Sequence, residues 1–253
     1  MYMQITKNQH YVPRFYMKYF SNIRNAGTKK EKVLISFYQF KDNILRENIP
    51  TTSVCSEDYF YGQDGKTENS LAEMENRWSI AFKNVNDNTF AEGDIESIRE
   101  FVIYQISRTK AMLSHNREMV TNVMEAVSKK QFGNMADGKT FNELLENKIQ
   151  NEITPEFGLS IVKETIPVIS DLKMKVITNE TEMKLITSDV PIIIINPLGI
   201  YRAGLNSVGE VIFFPISPWK IIFFYDFFTT ILRERREIAK KIPTRLQGNT
   251  IFL

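Results

Sequence analysis

The chain has 253 residues, 43% hydrophobic and 25% charged, ordinary values for a globular protein long enough to bury a large core without staples. Its 32 basic and 30 acidic residues leave a net charge of +2, so no global field draws it to nucleic acid or membrane, though a local basic patch is compatible with that balance. Cys55 is the only cysteine, which excludes an internal disulfide and a cysteine-based zinc site; with no signal-peptide pattern and no apolar run near the ~20 residues that span a bilayer, the expected setting is cytoplasmic.

Residues 8–20 carry five aromatics, His10, Pro13 and Arg14. Termini are usually loose and polar, so a segment this aromatic should be buried, with Tyr11, Phe15, Tyr16 and Phe20 as anchors. Ser21 to Lys32 reads as a surface loop. Val33 to Phe40 and Ile44 to Ile49 read as a hairpin around the turn residues Lys41, Asp42 and Asn43, ended by Pro50.

From Glu68 the apolar period changes from 2 to about 3.6, with Leu71, Met74, Trp78 and Phe82 on one face. Asn84 to Gly93 breaks the pattern. Asp94 is the expected N-cap of the longest helix, Ile95 to Val127. After a Gly-containing loop, Gln131 to Thr140, two helices are expected, Phe141 to Asn151 and Pro155 to Val168, the proline in a first turn where its missing N–H costs nothing.

The last third reads as β. Lys173 to Thr178 and Met183 to Thr187 form a hairpin-like pair, Val190 to Ile195 a short apolar strand, and Gly209 to Phe214 and Lys220 to Tyr225 two more. Thr229 to Gln247 has a helical period and a basic character. Strands segregated from helices favour α+β: a helical half, residues 68–168, packed on mainly antiparallel strands from the N-terminal hairpin and the C-terminal third. No Pro/Gly/Ser-rich linker appears, so residues 1–253 are expected to form one domain.

Phosphate-loop, dinucleotide-fold, HExxH and GxSxG patterns are absent, and there are only two histidines. A catalytic centre must therefore be built from carboxylates, arginines, tyrosines, Gln105 and at most two imidazoles. His10 near Arg14 suits phosphoryl chemistry, a general acid/base beside a fixed positive charge; the plainer reading is a buried His with one backbone hydrogen bond. Arg108 and His115, seven apart within one helix, share a face and resemble the Arg-x(4–6)-His motif of HEPN-type ribonucleases, at a wider spacing; otherwise His115 is a solvated helix residue. Glu68 and Glu75, also seven apart, could hold Mg²⁺; alternatively Glu68 favours the helix dipole and Glu75 pairs with a basic neighbour. Ser188 and Asp189, at a strand end before Pro191, present a hydroxyl and a carboxylate, or else cap a turn.

The opening Asn-Gln-His-Tyr-Val-Pro-Arg-Phe-Tyr-Met-Lys-Tyr-Phe-Ser is similar to the HYVPxFYL opening of a mostly bacterial family, domain of unknown function 4238. The resemblance continues through Asp58-Tyr59-Phe60-Tyr61, the Glu68 to Glu75 helix, Gln105-x-x-Arg108-Thr109, Ile186 to Pro191 and Phe214 to Pro218. It covers residues 8 to about 225, with a tail, 227–253, that departs from the pattern. It carries no activity, but implies that His10, Arg14, Glu68, Glu75, Gln105, Arg108, Ser188 and Asp189 belong together; His115 lies outside it.

Two functions are therefore expected in competition. In the first the chain is a hydrolase acting on a phosphodiester of nucleic acid or a nucleotide. His10 is the general acid/base, Arg14 and Arg108 hold phosphate, Gln105 and Ser188 contact substrate, and Asp189 with Glu75 activates the nucleophile. Glu68, Glu75 and Asp189 are the candidate Mg²⁺ ligands. In the second the chain is a non-catalytic recognition or sensor module of a bacterial defence or mobile-element system, with the aromatic opening and the tail as contact surfaces.

Overall fold

The computed structural model describes residues 6–132, 139–197, 205 and 207–226. The expected tail helix and most of the Gln131 to Thr140 loop lie outside them.

The aromatic opening is a short strand and a helix. Strand β1 (Asn8–His10) pairs antiparallel with β5 (Ser56–Asp58). Pro13 then stops the pairing, and helix α1 (Arg14–Lys18) begins with proline as its N-cap. The expected hairpin forms as β3 (Lys32–Gln39) and β4 (Ile44–Pro50), with Asn43 at φ 56° in the turn, a conformation asparagine tolerates better than most residues. Strand β2 (Asn22–Arg24), read from sequence as loop, adds to its other edge.

Helices α2 (Lys66–Asn86) and α3 (Glu92–Ser107) pack through their apolar faces, with Phe82 and Phe101 ring centres 4.8 Å apart. Asp94 is not the N-cap of α3: Ala91 holds that position, and the Asp94 carboxylate reaches back to accept its N–H at 2.9 Å. The long helix expected from Ile95 to Val127 is two helices. Arg108 ends α3, and α4 (Lys110–Phe132) starts afresh because the Thr109 hydroxyl accepts the Met112 N–H at 3.2 Å, an N-cap bond that competes with continuing the helix. Helix α5 (Lys139–Glu152) lays Leu145 and Ile149 against Leu113 and Val120 of α4.

The single helix expected over Pro155 to Val168 is three short pieces. Thr154 caps α6 (Pro155–Ser160), α7 (Val162–Thr165) follows, and a 3₁₀ turn (Ile166–Ile169) takes over where Pro167 removes a helical donor.

The last sheet is antiparallel in the order β6-β9-β8-β7. Its strands are β6 (Lys173–Thr178), β7 (Ile193–Ile195), β8 (Val211–Ser217) and β9 (Lys220–Tyr225). Met183 to Thr187 is not the partner of β6; β9 is. The 179–187 segment instead folds over the Pro218–Trp219 turn, donating Leu185 N–H to the Pro218 carbonyl at 3.0 Å. The apolar strand shortens to β7 because Pro191 has no N–H for a ladder. Strand β8 runs through Pro215, where the register shifts, so the turn is shorter than the sequence suggests.

One hydrophobic cluster joins the opening segment, α2, α3 and the last sheet. Tyr16, Phe82, Phe101 and Phe214 form its centre, with Tyr16 stacked on Phe214 at 5.3 Å. The Tyr16 hydroxyl is within hydrogen-bond reach of Thr187 Oγ1 and donates to the Pro215 carbonyl at 2.8 Å. The opening is therefore a core element, as its composition requires. Lys220, buried behind the same core, caps the C-terminal end of α2 by donating to the carbonyls of Val85 and Asn86. Among the described residues no helix is long and apolar enough to cross a membrane.

Candidate functional site

The site is built around Arg108. The end of α3 buries its guanidinium (2% exposed) against strand β1 and the start of α2. Nη1 meets Glu75 Oε1 at 2.9 Å, Nε donates to the Tyr61 hydroxyl at 3.0 Å, and Nη2 donates to the His10 carbonyl at 2.6 Å. Burial opposes the charge, yet Tyr61 and Glu75 outweigh it and hold the group's pKa above its ordinary value. Arg108 is thus a fully engaged keystone. A phosphate could reach it only by displacing these partners, so Arg108 positions the site and holds no substrate.

Strand β1 is pinned from both sides. Gln9, fully buried, accepts the Tyr61 N–H at 2.6 Å and donates to the carbonyls of Thr6 and Gly62. Gln105, also fully buried, donates to the Tyr11 carbonyl at 3.0 Å, while its Oε1 has no partner. Gln105 therefore fixes the backbone beside His10. Cys55 and Tyr59, either side of β5, sit at φ 53° and 55°, positions that cost a non-glycine residue on the order of 1–2 kcal/mol and that gather at functional sites.

His10 itself is half-buried, with Nε2 3.1 Å from the Thr51 carbonyl. A carbonyl can only accept, so Nε2 carries the proton and Nδ1 the lone pair. Burial lowers the pKa of the ring; the Thr51 bond opposes this, and the charges of Arg14 and Arg108 add to the lowering. The imidazole is therefore neutral at pH 7 and able to take up a proton. Arg14, exposed on α1, has no ion-pair partner among the described residues.

Glu68 and Glu75 share a face of α2, as their spacing predicts. Glu68 is half-buried, and burial followed by the nearby Glu75 charge raises its pKa, with Arg108 opposing. The Tyr61 phenol is pushed up to about 12, chiefly by burial. A base with a lowered pKa and an acid with a raised one thus adjoin the same guanidinium, the pattern that separates acid and base roles in enzymes.

Ser188 and Asp189 lie apart from this hub, exposed on the turn before Pro191. The turn is tied by Ser188 Oγ, which accepts Val190 N–H at 3.1 Å and donates to its carbonyl at 2.9 Å. This is the turn-capping role expected for the segment, filled by the serine. Asp189 faces the other side of the opening segment, where its charge helps raise the pKa of the buried Cys55 thiol to about 12 after desolvation. Among the described residues no group of three His, Cys, Asp or Glu side chains is placed to hold a metal ion, so Glu68, Glu75 and Asp189 do not assemble into one carboxylate cluster. His115 is exposed on α4, and the helix break ends its shared face with Arg108.

Tyr61 and Gln9 were not singled out from the sequence as site residues. Both lie inside the motifs that carry the family resemblance, and their signal was a polar group within a segment otherwise destined for the core.

The fold and site define an α+β protein in which a buried Arg–Glu–Tyr hub holds a neutral histidine on an N-terminal strand. The chain belongs to the family described as "Protein of unknown function (DUF4238)", whose model matches residues 8–247. The match runs past the expected limit near residue 225, so most of the basic tail belongs to the family unit. No curated protein and no solved structure matches the chain.

Proposed function

We propose that the protein is a hydrolase acting on a phosphodiester, with nucleic acid or a nucleotide as substrate. The observation that carries this reading is His10: a neutral imidazole whose Nε2 is committed to the Thr51 carbonyl, leaving the Nδ1 lone pair beside the exposed Arg14 guanidinium. In this mechanism Arg14 holds the non-bridging phosphate oxygens and offsets the charge that develops on them. His10 Nδ1 takes a proton from the attacking water. Glu68, kept protonated by burial and by Glu75, gives a proton to the leaving oxygen, so that one water is consumed and an alcohol and a phosphomonoester are released. Arg108, Glu75, Tyr61 and Gln105 position these groups. Asp189 is the carboxylate left exposed to water, and an added Mg²⁺ would meet it together with the substrate's own phosphate.

The test is incubation of the protein with RNA, DNA and mononucleotides, with and without Mg²⁺, followed by product analysis. Cleavage that yields a phosphomonoester supports the reading. Failure to cleave any of them sinks it and favours the recognition module, for which the specific observation is the exposed apolar tip of the β3–β4 hairpin: Tyr38, Phe40, Ile44 and Leu45.

A further inference from the structure

A second cavity lies against the hub. It has a volume of about 260 Å³ and is walled on one side by Ile106, Ala111 and Met112, on the other by Val190, Pro191 and Ile192. These come from the α3–α4 junction and from the segment that follows Asp189, two of the stretches that carry the family resemblance. His115 and Gln105 complete the lining. Gln105 is fully buried, its amide is oriented by the Tyr11 carbonyl, and its Oε1 is a hydrogen-bond acceptor with nothing to accept.

We infer that this cavity is a nucleobase-binding site, in which a flat ring lies between the two apolar walls and presents an N–H to Gln105 Oε1. Three features select that chemistry. Apolar walls on two sides favour a planar ring, since every base has a π face that stacks without regard to sequence. An unpaired amide oxygen in a water-poor lining favours a ligand with a donor edge, because an orphaned acceptor gains a full hydrogen bond when one arrives. The cavity is below the range that takes a drug-sized molecule, and suits a single ring system. His115, exposed on the first turns of α4, offers its imidazole to the same ring, giving it a role that the HEPN-like reading did not. The start of α4 supplies the positive end of a helix dipole beside the cavity, which suits a base carrying a phosphate. The choice of a nucleobase over other flat donors rests on the phosphodiester reading above.

The experiment is calorimetric titration of the whole protein with adenosine, guanosine, cytidine and uridine monophosphates, and with ribose 5-phosphate as the base-free control. At least one mononucleotide is expected to bind roughly tenfold or more tightly than ribose 5-phosphate. Ala111→Trp, at an exposed helix position that keeps the fold, fills the cavity and should erase that difference; His115→Ala should weaken it severalfold. Equal binding of ribose 5-phosphate, no binding of any mononucleotide, or a base preference that survives Ala111→Trp overturns the assignment. Base-dependent binding without hydrolysis supports this site and overturns the hydrolase reading. Hydrolysis that depends on His10 without base-dependent binding does the reverse.

Discussion

At the scale of the residue, the site depends on which groups are spent and which are free. Arg108 is spent: all three of its bonded nitrogens are occupied by the protein. Arg108→Met leaves the His10 carbonyl, Tyr61 and Glu75 without their donor, and should cost about 3–5 kcal/mol in a urea or thermal melt, the range for removing one partner of a buried ion pair. Lysine at this position cannot serve three acceptors at once and should recover little of that loss. The titrating groups give a second prediction. The rate should rise as His10 loses its proton below its ordinary 6.5, and fall as Glu68 loses its own above its ordinary 4.5, so the maximum lies on the acid side of neutral. A profile still climbing at about pH 8 would contradict those roles. Stability follows the same signs. The depressed His10 pKa contributes stability present above 6.5 and lost as pH falls below it, while the raised Glu68 pKa contributes stability present at acid pH and lost as pH rises through it. The sequence pointed to His10, Arg14, Glu68, Glu75 and Arg108 by residue type and spacing alone. It could not separate the phosphate-holding arginine from the structural one, because that depends on burial, and burial of a charged side chain is set by partners distant in the chain.

At the scale of the element, helices with a strong apolar period and the β3–β4 hairpin were legible because their signals are local. The break at Arg108–Thr109 was not, since the apolar face continues across it and only the Thr109 hydroxyl interrupts the ladder. That break turns α4 away and opens the cavity beside Gln105. Helix α6 holds the junction from outside, and Gly158 allows it: a Cβ there would lie 3.0 Å from the Ser107 backbone carbonyl. Gly158→Ala should push α6 from the end of α3 and cost about 1–3 kcal/mol by thermal melt, as overpacking does; an unchanged midpoint would show that the junction yields. The strand pairings of the last sheet were the least legible. Asn179 closes its own small turn with Thr181 and Met183, which looks like a hairpin in sequence, yet β6 finds its partner some forty residues later in β9. Register between distant strands is fixed by the shared core and leaves little local trace.

At the scale of the whole molecule, the aromatic opening connects the candidate site to everything else. Tyr16 joins α1 to the last sheet, with its hydroxyl on the Pro215 carbonyl in a place that burial keeps dry. Tyr16→Phe removes that donor and should cost about 1–3 kcal/mol while the chain still melts in one transition, because a single cluster spans the opening, the helices and the sheet. Two separate transitions would show that the helical half and the last sheet unfold independently. Net charge gave no hint of this arrangement, and the aromatic density of residues 8–20 gave most of it. The same density hid Gln9 and His10 among residues whose business is packing.

The central claim is that His10 is a working base and not a structural link. It is tested most directly by comparing His10→Ala with the parent protein for phosphodiester cleavage and for thermal stability in the same buffer. The account predicts that cleavage is lost while the melt shifts by no more than the ~1 kcal/mol of one hydrogen bond to Thr51. Retained cleavage, or a collapse of the melt that accounts for the lost activity, would contradict it.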